Sequence, residues 1–251
     1  MKANVSTVAK EQLSRELFEP LLLADWSDAV FLHYAVKPEV LQPFVPFPLD
    51  LREGMAYVSL VAFTMSRMRP RRGGKWSEAL FKPIATHEFL NLRTYITHKG
   101  DPGIYFLAEW LPNKLSVKLG PPVFGLPYRH GQTHYEHDRE KGFTGSVIDS
   151  DTKAALRYIA APVAHAELEI AEKGSLTEFL LERYSAFTTF LGLKRRFRVW
   201  HPAWQHVTLK AAVYENSLMA LTGAWAQEAQ FAGAHYAPGF RDIWMGRPRL
   251  V

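Results

Sequence analysis

Three short stretches hold the residue types that can do chemistry. Val123-Phe-Gly-Leu-Pro-Tyr-Arg-His130 sets a phenol, a guanidinium and an imidazole directly behind a glycine–proline bend. His201-Pro-Ala-Trp204 places an imidazole on a rigid turn beside an indole. Glu88-Phe-Leu-Asn-Leu-Arg-Thr-Tyr-Ile96 carries a carboxylate and a guanidinium through an otherwise apolar and aromatic run. Tyrosine donates a hydrogen bond or passes a proton to an oxyanion, arginine clamps a carboxylate through paired hydrogen bonds, and histidine titrates near neutrality. Tyr128, Arg129, Glu88 and His201 are therefore the candidate catalytic residues, with Glu88 and His201 as bases. Arg93, Tyr95 and Arg129 are the candidate ligand-binding residues.

Strand alternation sorts the third stretch into two faces. Glu88, Leu90, Leu92, Thr94 and Ile96 share one, while Phe89, Asn91, Arg93, Tyr95 and Thr97 share the other. An arginine among aromatics is costly to bury unless it is paired or hydrogen-bonded. A structural ion pair and a ligand both meet that need, and the sequence leaves the choice open.

Other patterns carry less. His87-Glu88-Phe-Leu-Asn91 is half of a zinc-binding H-E-x-x-H, with asparagine where the second histidine belongs and a strand where the motif needs a helix. His130, His134 and His137 cluster with Glu136 and Asp138, but a strand turns His134 and His137 to opposite faces. Neither calls for a metal. Glycine-rich phosphate loops and G-x-S-x-G are absent, and Ser150-Asp-Thr-Lys153 alone is a weak match to S-x-x-K. No cofactor is called for. With no cysteine in the chain, disulfides and thiolate nucleophiles are excluded, and a reducing cytoplasm is the expected setting.

The 251 residues are 47% hydrophobic and 22% charged, as in a globular protein, with a formal charge of +5. Basic runs at Arg67–Arg72 with Lys75, and at Lys194–Arg198, favour anionic partners. A nucleic acid is the weakest of these, since no reading motif accompanies the charge. Glu11, Glu16 and Glu19 interrupt the N-terminal segment, so it does not read as a signal peptide, and the apolar runs are too short to span a bilayer. The expected organisation is a tail or short helix over 1–24 and a single domain over 25–251, with room for a homo-oligomer.

The elements that must position these residues read mainly as strands. They cover Ala29–Val36, Met55–Met65, Glu88–Ile96, Gly103–Trp110, Thr133–His137, Phe143–Asp149, Ala155–Ile159, Val207–Tyr214, Leu218–Ala226 and Phe240–Met245, with extended character over Lys194–Val199. Met55–Met65 follows the turn signal at Gly54, and Glu88–Ile96 and Gly103–Trp110 form a hairpin over Thr-His-Lys-Gly-Asp-Pro. Ser175-Leu-Thr-Glu178 has capping-box spacing, which predicts a helix carrying Phe179, Leu180, Tyr184 and Phe187 on one face. The fold class is α+β and strand-rich, a closed β-barrel with a few peripheral helices.

Ordered along the chain, Phe31–Tyr34, Pro43–Leu51, Glu88-x-x-Asn-x-Arg-Thr-Tyr95, Gly103–Phe106, Phe124–Tyr128, Leu180-x-Glu-Arg-Tyr184, His201–Trp204 and His235-Tyr-x-x-Gly-Phe240 resemble the YqjF-like family of bacterial proteins of unknown function. That family is similar to the acetoacetate decarboxylase superfamily. The resemblance implies a cone-like barrel with a central cavity, and a lysine Schiff base activated by a neighbouring cation. Pro127 matches the family's proline. Tyr128 falls where the Schiff-base lysine stands, Arg129 where the second lysine stands, and Glu88 where a cavity glutamate stands. A tyrosine forms no Schiff base and an arginine does not readily lose its proton. What remains is lysine-free lyase or isomerase chemistry on a small carbonyl or carboxylate compound, or binding of an organic acid without turnover.

Overall fold

The computed structural model describes residues 5–164 and 166–251. In chain order the elements are α1 (Val5–Ser14), β1 (Leu22–Val36), α2 (Pro38–Leu41), β2 (Ala56–Pro70), α3 (Gly74–Phe81), β3 (His87–His98), β4 (Asp101–Leu111), α4 (Lys114–Phe124), β5 (Tyr128–Asp138), β6 (Gly142–Asp149), β7 (Ala155–Pro162), β8 (Glu169–Ile170), α5 (Leu176–Leu181), β9 (Ser185–Phe190), β10 (Leu193–Trp200), β11 (Gln205–Asn216), α6 (Ser217–Ala220), β12 (Gln230–Met245) and β13 (Arg249–Leu250). None of the described helices is long and apolar enough to cross a membrane.

The strands β12, β1, β2, β3, β4, β5, β6, β7 and β11 pair in that order and close back on β12, giving a nine-strand barrel. It is mixed, because β4 and β5 run parallel over Glu109–Leu111 while the other pairs in the ring are antiparallel. The β3–β4 hairpin forms as the sequence predicts. Lys99 and Gly100 both take positive φ between the paired residues His98 and Asp101, the geometry of a tight primed turn whose twist matches the strands.

Two strands fork. The start of β4 also pairs with β9, and the end of β12 also pairs with β10, which itself pairs with β9. A second, smaller ring thereby closes through β12, β1, β2, β3, β4, β9 and β10. The shared β1–β4 sheet then has two buried faces. Val30, Leu32, Leu60, Leu90, Leu92 and Trp110 fill the nine-strand barrel together with Phe143, Tyr158 and Val207. Residues one position along, among them Phe31, Val61, Phe63, Phe89 and Leu111, point the other way, as the pleat requires.

The resemblance implies a central cavity, and here the structure differs. Buried side chains occupy the nine-strand interior, and the cavity lies on the outer face of the shared sheet, within the smaller ring. Two element readings are also corrected. Leu218–Ala226 is not a strand but α6 followed by a 3-10 turn over Ala224–Glu228, whose Leu218, Met219 and Trp225 are buried against the barrel core. The helix opened by Ser175 ends at Leu181, so Tyr184 precedes β9 and Phe187 lies on it. The cap itself forms, since the Ser175 hydroxyl accepts from the Glu178 N–H at 3.1 Å. Helix α4 was not anticipated, because its Pro121 and Pro122 read as breakers. They sit in its last turn, where Gly125 caps it in the left-handed region at φ 75°.

Candidate functional site

One rung of the shared sheet builds the polar wall of the cavity. Val61 on β2 lies opposite Asn91 on β3, Asn91 opposite Glu109 on β4, and Glu109 opposite Tyr128 on β5. Residues opposite one another across a ladder point to the same face, so an amide, a carboxyl and a phenol stand side by side. Arg93, two residues from Asn91, joins them on the same face. The facing wall comes from the chain around α5 and the turn after β10, which bring Leu181, Arg183, His201 and Trp204. Helix α4 forms the roof. The cavity measures about 380 Å³.

The stretch that ends α4 is a rigid mount for Tyr128. Gly125 donates its N–H to Pro121 O at 2.8 Å, and Pro127 O accepts from the Glu109 N–H at 3.1 Å, which starts the parallel pairing. The Tyr128 ring lies flat under Gly120 of α4, where an added Cβ would stand 2.2 Å from the ring. Burial, reinforced by the neighbouring Glu109 carboxyl, raises the phenol well above its ordinary pKa, so it stays a hydrogen-bond donor.

Arg93 is buried, and its Nε has no hydrogen-bond partner. Its guanidinium makes one long contact, 3.5 Å to Leu180 O, and sits 5.5 Å over the Phe31 ring. Among the described residues no carboxylate oxygen comes within 4.0 Å of it. Glu109 does not neutralise it. Burial pushes the Glu109 carboxyl well above its usual range, against the pull of Arg93, and so favours its neutral form. Its Oε2 and Asn91 Oδ1 also lack partners. Arg183, by contrast, is committed: it bonds Asp50 at 2.6 Å and Phe179 O at 2.8 Å.

His201 lines the cavity opposite this wall. Its Nδ1 is 2.7 Å from Pro202 O. A carbonyl only accepts, so this nitrogen carries the proton of the neutral ring. Burial, reinforced by the charge of Arg93 and partly offset by the bond to Pro202, lowers its pKa to about 4. The turn is braced by Glu182, whose carboxylate accepts from the Trp204 N–H at 2.7 Å. His87 also lines the cavity, and burial lowers it to about 4 as well.

The structure thus brings Tyr128, Arg93 and His201 to one cavity. Arg129 is elsewhere. Next to Tyr128 on a strand it must point to the opposite face, where its Nε donates to Asp149 at 2.7 Å on the barrel side. Glu88 likewise faces away from the cavity, and its carboxylate accepts from the Tyr135 N–H at 3.4 Å. Tyr95 shares Arg93's face but stands behind it, bonded to Ser59 Oγ at 2.6 Å and donating to Leu180 O at 2.9 Å. Glu109 and Asn91 are the residues that sequence reasoning missed. Asn91 was on the same face as Arg93, and Glu109 is the only charged side chain in the apolar run Gly103–Trp110. Neither the His130, His134, His137 group nor any other described set of three His, Asp or Glu side chains comes together as a metal site.

Comparison with known proteins gives the family and the fold. A family model described as "Uncharacterized conserved protein (COG2071)", DUF2071, matches residues 23–241. The chain belongs to the DUF2071 family. A relative of this DUF2071 chain, the uncharacterized protein YqjF of Bacillus subtilis (strain 168), is 30% identical over 228 residues, covering 84% of this chain and 85% of that one. Among solved structures the fold is similar to acetoacetate decarboxylase from Legionella pneumophila, with TM-score 0.65 and 10% identity over 92% of this chain and 87% of that one. It is similar to the enduracididine biosynthesis enzyme MppR complexed with pyruvate, with TM-score 0.63 and 11% identity over 93% and 91% of the two chains. An acetoacetate decarboxylase-like enzyme from Sphingomonas wittichii RW1 gives TM-score 0.60 and 16% identity over 93% of both chains. At these identities the DUF2071 chain shares their fold. In that fold the described residues lining its cavity include no lysine.

Proposed function

We propose that the cavity is the active site of a small-molecule enzyme of lyase or isomerase type, acting on a carbonyl or carboxylate compound without a Schiff-base lysine. The observation that carries this reading is Arg93, a buried guanidinium with no carboxylate oxygen within 4.0 Å among the described residues, set beside Glu109 and Tyr128, whose burial favours their neutral, hydrogen-bond-donating forms. A buried charge without a partner is costly, and a substrate carboxylate supplies the missing one. The named activities of fold neighbours, a decarboxylase and an enzyme complexed with pyruvate, support the same substrate class.

The roles follow from protonation. Removal of a proton from the carbon next to a carbonyl, or loss of CO₂ from that carbon in a 3-oxo acid, leaves an electron pair that moves onto the carbonyl oxygen. Burial favours the protonated forms of the Glu109 carboxyl and the Tyr128 phenol, and from neighbouring strands these forms donate hydrogen bonds to that developing oxyanion. His201, neutral above about pH 4, accepts a proton from the substrate carbon and returns it.

The test is a panel of 2-oxo and 3-oxo acids in D₂O, followed by NMR for deuterium incorporation and for CO₂ release. Tyr128→Phe should slow the reaction by about 10²- to 10³-fold, the typical loss for one oxyanion donor, and Arg129→Met should leave it near the wild-type rate. Acids that bind but are neither exchanged nor decarboxylated would make this an organic-acid-binding protein and end the enzyme reading.

A further inference from the structure

The cavity's size and the charge of its described lining define what fits. Arg93 Nε, Asn91 Oδ1 and Glu109 Oε2 lack partners on buried residues of β3 and β4, as do Trp26 Nε1, both ring nitrogens of His87 and Ser116 Oγ elsewhere in the lining. Most of the remaining wall is aromatic and aliphatic, with Phe31, Phe63, Phe89 and Phe106 on the sheet side and Trp204 facing them. The most exposed lining residues are Leu119 and Val123 of α4, at 42% and 51%, which mark the mouth. They lie four residues apart on one helix face, and Leu115 extends that face outward. Across the mouth Phe81 and Ile84 are half-buried. No charged side chain is among these mouth residues.

Size and charge narrow the ligand further. A cavity of 380 Å³ falls within the range of about 300–1,000 Å³ that takes drug-sized ligands, and a three-carbon acid would leave most of the apolar wall unfilled. Arg183 is neutralised by Asp50, so among the described lining residues Arg93 is the cation left free for a carboxylate. A second carboxylate on the ligand would meet no further free cation among the described lining residues. Charged groups are costly to bury there.

We infer that the ligand is an amphiphilic monocarboxylate, an oxo acid bearing an aryl or medium-length alkyl substituent, held with its carboxylate on Arg93 and its apolar part running along the phenylalanine wall to the mouth at Leu119 and Val123. The inference rests on the proposed function's reading of this cavity as the substrate site, and it adds which substrates that site takes. The apolar part fills space that water would occupy unfavourably, and the carboxylate fixes its direction.

The experiment measures binding without requiring turnover. Trp26 and Trp204 line the cavity, so their fluorescence reports occupancy, and calorimetry checks it. The probes are pyruvate, phenylpyruvate, hexanoate, octanoate, decanoate, octanedioate and 1-octanol. Affinity should rise roughly three- to fourfold for each methylene that stays inside. Phenylpyruvate should bind at least tenfold tighter than pyruvate, and octanedioate at least tenfold weaker than octanoate. Arg93→Met should weaken octanoate at least tenfold and spare 1-octanol. Because Arg93 is buried and the variant can fail to fold, the exposed mouth supplies a second one. Leu119→Glu should weaken decanoate at least fivefold and leave pyruvate unchanged. Equal binding of pyruvate and phenylpyruvate, no dependence on chain length, or tighter binding of octanedioate would each overturn the inference. If pyruvate alone binds and is converted, the enzyme reading stands and this one falls. If the apolar acids bind but none is converted, this one stands and the enzyme reading falls.

Discussion

Glu109 and Tyr128 lie opposite each other on the parallel strands β4 and β5, and the Glu109 carboxyl adds to the cost of ionising the phenol. Burial is the largest influence on both and favours two donors over a base and a donor. The arrangement suits stabilising negative charge that forms on a substrate, next to a cation that holds the substrate's own charge.

The upward shift of the Glu109 carboxyl has a thermodynamic signature. Its folded pKa is raised, so its stabilising contribution is complete below the unfolded value of about 4.5 and declines as pH rises toward the folded pKa. Glu109→Gln keeps the shape and cannot ionise. The variant's stability relative to wild type should therefore improve from pH 4 to pH 8, at up to about 1.4 kcal/mol per pH unit. Urea denaturation at pH 4, 6 and 8 measures this. A constant difference would mean that Glu109 is ionised in the folded protein.

Asp149 behaves in the opposite sense. It is fully buried, and although burial favours its neutral form, hydrogen bonds from Arg129, the Thr152 backbone and Trp110 hold its carboxyl well below the usual range. Its contribution is present above the unfolded value of about 3.8 and is lost as pH falls through the folded pKa. Asp149→Asn leaves Arg129 unpaired and should cost about 3–5 kcal/mol at pH 7. That cost should shrink on acidification toward pH 2. An unchanged midpoint at pH 7 would show that the Arg129–Asp149 pair does not form.

These two carboxylates show how far the sequence could be read. The order of strands and the β3–β4 hairpin were legible because alternation and turn chemistry are local. The face split of Glu88–Ile96 was legible too, and applied strictly it separates Glu88 from Arg93. The same rule separates Arg129 from Tyr128. Aligning each with a family position obscured that, since a one-residue step on a strand reverses the side chain. Glu109 was hidden for another reason. Only the long-range pairing of β4 with both β3 and β5 sets it between Asn91 and Tyr128, and no local pattern encodes that rung. Nor did any local signal show that β4 and β12 fork, which decides the face on which the cavity opens.

Gly120 is the contact that lets the Tyr128 ring lie under α4. Gly120→Ala would put a Cβ about 2.2 Å from that ring, so the phenol or the helix must shift. The expected loss is about 1–3 kcal/mol by thermal or urea unfolding, although alanine is the better helix former. A more stable Gly120→Ala protein would show that the ring rests elsewhere.

The buried histidines should make the fold acid-labile. Burial lowers His87, His201 and His235 to about 4, while an exposed chain titrates near 6.5. Their contribution is complete above pH 6.5 and is lost as pH falls toward 4, because the unfolded chain takes up the protons first. Denaturation at constant salt should show stability falling across that window, and His201→Gln should flatten the fall. A flat profile between pH 6.5 and 4.5 would contradict the burial of these rings.

The last prediction concerns the nucleophile. Decarboxylation through a Schiff base needs an unprotonated lysine amine against the substrate carbonyl. Tyr128 occupies the mount where the family resemblance would place that lysine. Lys114 and Lys118, the lysines of α4, are exposed on its outer side and are absent from the cavity lining. Borohydride added to the protein with pyruvate or phenylpyruvate should therefore leave the intact mass unchanged. A stoichiometric adduct mapped by peptide mass spectrometry to a single lysine would place an amine at the substrate. The roles assigned to Glu109 and Tyr128 would then have to be redrawn around that amine.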